Sequence, residues 1–372
     1  MVGFPLRVLL MFFRYVDDYT QMHRVCKLWS KARTIYESAQ NFSQINYTKA
    51  FQNLFALSTG TFSNVYGFRI FNSFYTLKRM DKVTQAHLQN IRCLRREIKT
   101  HSICYHPNII QLYHVHQDVA SLYIIEEYAQ YGDLFDVVNN INNRRAPLSF
   151  VLFTCSEIVL ALTYLHQRNI LFRDLRLENI VVSGDLRMKL TDFGNAKFLS
   201  RRQKTYTLCG VPESCAPEML CSKGYSHSVD WWALGVLLYE MSIGYSPFYS
   251  ENEMDTYARI LNRDLKLTLL QEKTLDKSIS VIEEVKYVIR LLLVDNSSFR
   301  KSYAANVSSI FDRMSGWVPY FESIEWDKLQ REESSFSINR GAHKRHLKNL
   351  PKAQPLQNRM AQIEWNRYCG EF

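Results

Sequence analysis

Asp174 and Asn179 share the stretch Phe172-Arg173-Asp174-Leu175-Arg176-Leu177-Glu178-Asn179. An aspartate there could take the proton from a hydroxyl nucleophile, and an asparagine amide oxygen could bind a magnesium ion. Asp192, in Asp192-Phe193-Gly194, offers a carboxylate to another magnesium ion. Lys78 ends the alternating stretch Tyr75-Thr76-Leu77-Lys78, and Glu97 follows in a helical stretch. A glutamate can hold a lysine in place, and phosphate charge needs a fixed cation. Upstream, Leu57-Ser58-Thr59-Gly60-Thr61-Phe62-Ser63-Asn64-Val65 sets a Gly-containing turn between two strand-like runs, where backbone N–H groups could approach phosphates. Taken singly, these features also describe a hairpin, a solvated lysine and an incidental acid. With Ala216-Pro217-Glu218 closing the series, their order and spacing assemble the parts that phosphoryl transfer requires.

The elements that must carry these residues change character along the chain. Phe51 to Ser58, Phe62 to Ile70, Phe74 to Met80 and Leu122 to Glu127 read as strands, being short, apolar and rich in β-branched and aromatic residues. Gln85 to Cys104 reads as a helix stopped by His106-Pro107. From Asp133 onward the pattern is mainly helical, and the continuously apolar run Trp231 to Tyr239 is a core helix of a large domain. Before the strands, Val25, Leu28, Trp29, Ala32, Ile35, Tyr36, Ala39 and Phe42 recur at helical spacing, predicting an amphipathic helix docked by its apolar stripe. The expected organisation is an N-terminal extension over 1–50, a two-part domain over 51–325 that divides near 127/128, and a basic tail over 326–372.

Bulk properties narrow the classes. With 47% hydrophobic and 22% charged residues, the 372-residue chain is globular rather than disordered. A net charge of +10 would suit nucleic acid, anionic lipid or acidic proteins, but basic termini account for it and no specific nucleic-acid partner is expected. The eight cysteines are scattered and show no zinc-ligand spacing, which points to reduced thiols and an intracellular, cytoplasmic home, with the nucleus also open. The apolar run Val8 to Phe13 is too short to span a bilayer, which takes about 20 residues, so no transmembrane segment is expected. It could anchor the chain at a membrane surface or dock on the protein itself.

The chemical residues and their surroundings resemble the protein kinase family, and within it the AGC group and the cyclic-AMP-dependent kinases. The resemblance is carried by Leu208-Cys209-Gly210-Val211-Pro212-Glu213, Ser222-Lys223-Gly224-Tyr225, Val229-Asp230-Trp231-Trp232-Ala233-Leu234-Gly235-Val236 and Gly244-Tyr245-Ser246-Pro247-Phe248. It implies an α+β, bilobal protein kinase fold, with a small β-rich N-lobe over a large, mainly α-helical C-lobe. It implies ATP and Mg2+ as cofactors. Asp174, Arg176, Lys78 and Glu97 would serve catalysis, and Asn179 and Asp192 would hold metal. Leu57, Ser58, Thr59, Gly60, Thr61, Phe62, Ser63, Val65, Thr76, Lys78, Glu127, Ala129, Asp133, Val181 and Thr191 would line the nucleotide.

The resemblance further implies control by a phosphate on Thr207, paired with Arg173 and Lys197. Asp133, Glu178 and Glu240 match acidic positions that bind arginines ahead of a target residue, and Leu208, Pro212 and Cys215 match the pocket for the apolar residue after it. Protein substrates with basic sites are therefore expected, phosphorylated on serine or threonine. Tyr257 matches a residue on which a cyclic-AMP-type regulatory subunit docks.

Departures from the family pattern are equally specific. Ser58 and Ser63 replace glycines, and Ser58 is expected to stiffen the turn entrance. Thr76 replaces an alanine beside the adenine. Glu126 stands where an apolar residue is usual and would need a partner or a proton. Arg176 replaces a lysine, Val211 replaces a threonine that would steady Asp174, and Cys93 replaces a phosphate-binding histidine. Phe299 takes the place of an arginine that would pair with Glu218. These changes leave a pseudokinase, acting as a scaffold or as a decoy for a regulatory partner, as the alternative to an active enzyme.

Overall fold

The computed structural model describes residues 54–60, 63–70, 73–87, 91–140, 145–200, 202–267, 279–295 and 297. The amphipathic helix expected before residue 51, the basic tail, Thr61, Phe62, Phe299 and Arg300 lie outside the described residues.

Alternation of side chains builds the first lobe. Strands β1 (Phe55–Thr59), β2 (Asn64–Ile70), β3 (Ser73–Asp81), β4 (Leu112–Gln117) and β5 (Ser121–Glu127) form one antiparallel sheet in the order β1-β2-β3-β5-β4. Tyr66, Phe68, Leu77, Tyr123 and Ile125 pack together on one face. The period of two then sends Val65, Thr76, Lys78, Ile124 and Glu126 to the other. The register pairs Lys78 with Ile124 and Thr76 with Glu126. On that second face Met80, Leu122 and Ile124 bury against Ile91, Leu94 and Ile98. These last three fall at helical spacing on α2 (Ile91–His101), which follows the short α1 (Lys82–His87). The helix expected from Gln85 to Cys104 is thus two helices. Strand β4 was not foreseen, because Leu112-Tyr113-His114-Val115-His116-Gln117 carries histidines among its apolar positions.

The second lobe is helical around one large core. It contains α3 (Leu134–Asn139), α4 (Leu148–Gln167), α5 (Pro217–Leu220), α6 (Ser228–Ile243), α7 (Glu253–Asn262) and α8 (Ile279–Leu292). Short strand pairs join β6 (Ile170–Leu171) to β9 (Lys197–Phe198), and β7 (Ile180–Val182) to β8 (Met188–Leu190). Helix α6 is buried on every side except at Glu240, as its apolar run predicts, and Trp232 stacks on Phe248 with ring centroids 5.6 Å apart. Helix α4 is apolar enough over Phe150–Gln167 to cross a membrane by length and composition, but its apolar residues pack into this core beside α6, α8 and β8. Asp133 caps α3, its carboxylate accepting from the Asp136 N–H at 2.9 Å.

One close approach sets the edge of the sheet. A Cβ on Gly67 would stand 2.1 to 2.8 Å from carbons of the Phe55 ring, so the ring can lie across β2 only over a glycine. Gly67→Val is expected to dislodge β1 and leave the rest of the sheet in place. Hydrogen exchange should show the Phe55–Thr59 amides exchanging about tenfold faster or more, with β3 and β5 unchanged.

Candidate active site

Lys78 sits on the second face of β3, opposite α2. Its ammonium donates to Glu97 Oε1 at 2.8 Å and lies 3.7 Å from Asp192 Oδ1. Burial opposes the charge on Lys78, but Glu97 and then Asp192 outweigh it and hold the lysine charged, well above its ordinary range. Lys78 in turn draws the Asp192 carboxyl below its usual value, against burial.

The loop carrying Asp174 is fixed from below. Asp230 on α6 is 1% exposed, and its carboxylate accepts from the Phe172 N–H at 3.0 Å, the Arg173 N–H at 2.8 Å and His166 Nε2 at 2.7 Å. Burial pushes this carboxyl up, yet His166 and the two backbone donors hold it below the ordinary aspartate range. The bonds pin Arg173 at φ +71, a left-handed conformation that costs a non-glycine residue energy. Asp192 takes a similar φ of +58.

Asp174 is then oriented from two sides. Asn179 Nδ2 donates to the Asp174 carbonyl at 2.8 Å, and Asn195 Nδ2 donates to Asp174 Oδ2 at 3.0 Å. Asp174 Oδ1 is buried and has no partner among the described residues. Burial raises the Asp174 carboxyl above its ordinary value, and the bond from Asn195 partly offsets the rise. Gly210 closes in at φ +88, where a Cβ would stand 3.0 Å from the Arg173 carbonyl oxygen and 3.6 Å from Asp174 Oδ1. Asn195 does what the sequence expected of a threonine at Val211. Its proximity to Asp174 bridges a separation of 21 residues, so no local pattern announces it.

The donor set fits the cofactors expected. The Asn179 amide oxygen and the half-exposed Asp192 carboxylate are hard oxygen ligands of the kind Mg2+ takes, and Lys78 supplies a fixed cation for phosphate. Above them Ser58 pairs with Val65 and Thr59 with Asn64, and the Gly60 N–H donates to the Ser63 carbonyl at 2.9 Å. Ser58 does not have a positive φ. The expected stiffening by Ser58 therefore has no glycine-only conformation to act on. Leu57 is the bulged, exposed residue of β1. Thr76 is half-buried across from Glu126, which faces His101 Nδ1 at 3.4 Å. The Glu127 carboxylate accepts from Lys189 at 2.6 Å and from the Gln111 N–H at 3.3 Å, and its own N–H donates to the Gln111 carbonyl at 2.9 Å, so its carboxylate and N–H are both engaged. Ala129, Asp133, Val181 and Thr191 are the other residues expected along the nucleotide. Asp133 bridges Val181, and the Thr191 N–H donates to the Asn179 carbonyl at 3.0 Å.

Arg176, expected to serve catalysis, and Glu178, expected to bind a substrate arginine, meet each other: the Arg176 guanidinium forks onto the Glu178 carboxylate, with Nε to Oε2 at 2.7 Å and Nη2 to Oε1. Asp133 and Glu240 belong to the same acidic group. Burial raises the Asp133 carboxyl, Glu178 adds to the rise, and Glu240 acts on Arg176.

The expected control residues cluster with one cation more than foreseen. Arg173 Nε donates to the Asn195 carbonyl at 2.7 Å, and its Nη1 donates to the Tyr225 hydroxyl at 3.2 Å. That hydroxyl donates onward to the Thr207 carbonyl. Lys197 donates to Thr205 Oγ1 at 3.0 Å, and its ammonium is lowered by burial and by Arg173 and Arg96. Arg96 lies one helical turn past Cys93 on α2, and its Nε is buried without a partner among the described residues. The Thr207 side chain is exposed. Leu208 is exposed, Pro212 is half-buried, and the buried Cys215 thiol lies 3.4 Å from the Val211 carbonyl. Glu218 accepts from Ser228 Oγ at 3.1 Å.

Comparison with known proteins places this geometry. A family model described as protein kinase domain matches residues 51–311. The cAMP-dependent protein kinase type 3 of Saccharomyces cerevisiae is 41% identical over 281 residues, covering 75% of this chain and 66% of that protein. A cAMP-dependent protein kinase catalytic subunit of Dictyostelium discoideum is 33% identical over 305 residues, covering 81% of this chain and 44% of that protein. The human cAMP-dependent protein kinase catalytic subunit PRKX is 39% identical over 219 residues, covering 57% of this chain and 58% of that protein. The chain thus spans less than two thirds of the length of each of these relatives.

Asp230→Ala removes the acceptor of two buried N–H groups and is expected to cost about 3–5 kcal/mol in urea unfolding. The native Asp230 pKa is depressed, so the stability it contributes is present above the unfolded value of about 3.9 and is lost as pH falls through the folded one. The deficit of the variant against wild type should therefore be full at neutral pH and shrink below about pH 4.

Proposed function

The chain belongs to the protein kinase family, and on that premise we propose that it transfers the γ-phosphate of ATP to serine or threonine on proteins. The observation that carries this is the Asp174 carboxylate, oriented through Oδ2 by Asn195 and holding Oδ1 buried with no hydrogen-bond partner among the described residues. A substrate hydroxyl is the group such an atom would receive. As the hydroxyl oxygen bonds to the γ-phosphorus, the bond to the β,γ-bridging oxygen breaks, ADP leaves, and the hydroxyl proton passes to Asp174. Lys78, braced by Glu97, would hold phosphate oxygens, and Asn179 and Asp192 would hold Mg2+, which when bound neutralises charge on the phosphates.

Thr207 phosphate would be held by Arg173, Lys197 and Arg96, whose mutual repulsion an anion relieves. The substrate surface is acidic through Asp133, Glu178 and Glu240, which favours basic sites, but Arg176 already occupies Glu178. A regulatory subunit of the cyclic-AMP type remains a partner to test at Tyr257.

The deciding experiment is transfer of the γ-phosphate from magnesium-ATP to an Arg-Arg-x-Ser peptide, with Asp174→Asn as control. Transfer that vanishes in the control is expected. A folded, Thr207-phosphorylated protein with no transfer to this or general acceptors would instead be a scaffold. In the same assay the acid limb of kcat/KM should lie above the ordinary aspartate range, because Asp174 must be ionised to accept the proton and burial raises its pKa. Asn195→Leu should move that limb to higher pH and lower kcat about tenfold. Arg176→Lys gives up the fork on Glu178 and should improve KM for arginine-containing over arginine-free peptides by about tenfold, read as the ratio of the two.

A further inference from the structure

Tyr225 is buried, and its hydroxyl stands between the loop that carries Asp174 and the segment that carries Thr207. Arg173 Nη1 donates to it at 3.2 Å, and it donates to the Thr207 carbonyl, which can only accept. Burial pushes the phenol up to about 12 against the pull of Arg173, so at neutral pH it keeps the hydrogen that this relay needs. The backbone of Tyr225 also pairs in both directions with that of buried Thr205, at 2.9 and 3.0 Å, and Lys197 donates to Thr205 Oγ1 at 3.0 Å. One residue earlier the chain turns at Gly224 with φ +72, and a Cβ there would stand 2.7 Å from the Tyr206 ring. Residues 205–207 are thus strapped to 224–225 by groups that the chain itself supplies.

The relay continues to the reacting carboxylate. Arg173 Nε donates to the Asn195 carbonyl at 2.7 Å, and the side-chain amide of that same Asn195 donates to Asp174 Oδ2 at 3.0 Å. Arg173 is 7% exposed, so its guanidinium must find acceptors within the protein. Asn195 meets its Nε and Tyr225 its Nη1, and both acceptors are neutral. A phosphate on the exposed Thr207 would approach this guanidinium as a further, charged acceptor. Hydroxyl and phosphate would then hold the same arginine, and two holds on one group do not add.

We propose that Tyr225 is a positioning residue: its hydroxyl couples the Thr207 segment to Asp174 through Arg173 and Asn195 while Thr207 carries no phosphate, and so gives the protein activity in that state. This rests on the kinase activity proposed above only for its kinetic readout. The phosphate, once present, takes over part of the hold on Arg173, so the hydroxyl matters most in its absence. The coupling acts on the orientation of Asp174, so its loss falls on kcat more than on KM for ATP.

The test is a double-mutant cycle on the full chain. Tyr225→Phe removes the hydroxyl and keeps the ring, and Thr207→Val can carry no phosphate but keeps the backbone carbonyl. Thr207→Val alone is expected to keep kcat within about tenfold of the Thr207-phosphorylated wild type. Tyr225→Phe should lower kcat about tenfold in the Thr207→Val background and less than about threefold in the phosphorylated protein, with KM for ATP moving less than about threefold in both. A merely structural tyrosine would lower the melting temperature and cost the same kcat in both states, which overturns the proposal, as does a larger loss from Thr207→Val alone. Hydrogen exchange supplies a readout without turnover: in the Thr207→Val background Tyr225→Phe should speed exchange of the amides of residues 205–209 about tenfold and leave Ser228–Ile243 protected. Absence of transfer in the phosphorylated wild type would defeat the kinase reading alone, and the exchange pattern would still decide the strap. Exchange unchanged by Tyr225→Phe would overturn it.

Discussion

A carboxylate buried as deeply as Asp230 persists only if donors replace its lost water, and those donors fix the candidate site. Helix α6 is apolar all round and has no alternative place in the fold, so Asp230 is delivered to the centre of the second lobe. There its oxygens take His166 and the backbone of Phe172 and Arg173. The next residue is Asp174, and the strained φ of Arg173 turns it out toward Asn195 and Asn179. Phe172, held at the same point, props Phe193 and with it Asp192. The positions of Asp174 and Asp192 thus descend from one buried charge.

How much of this was legible in the sequence follows from where each constraint acts. Lys78, Glu97, Asp174, Asn179 and Asp192 were identified by type and order, since chemistry dictates the residue and the chain order is distinctive. The sheet was legible where side chains alternate cleanly and failed at β4, whose histidines blur the pattern. Asn195, Arg96 and His101 were missed because their partners lie far along the chain. Arg176 with Glu178 was missed for a different reason. Residues two apart do not face each other on a helix, but Arg176 lies extended, φ −155 and ψ 165, just before the short 3-10 turn Leu177–Asn179, so no single periodicity relates it to Glu178.

Three of the departures from the family pattern come in compensated pairs. Val211 lacks the hydroxyl that would steady Asp174, and Asn195 supplies an amide. Cys93 lacks a cation, and Arg96 brings one a helical turn later. Glu126 brings a charge into an apolar place, and His101 meets it. An unpaired buried polar group costs about 1–3 kcal/mol, so a change of this kind is tolerated chiefly when a neighbour answers it. Such matching is what a cleft still under a geometric demand would show.

Arg176 is not answered in this way, and its cost can be located. Its guanidinium is drawn first by Glu178 and then by Asp174 and Glu240, so it rests within the acidic group that a basic substrate would use. An incoming substrate arginine must either displace it or settle for Asp133 and Glu240. Displacement would free Arg176 toward Asp174, which already draws its charge. Binding a basic peptide and readying the catalytic loop would then be one exchange of partners on Glu178. The fork is about a third exposed on each side, 33% and 38%, which makes it weak enough for that exchange.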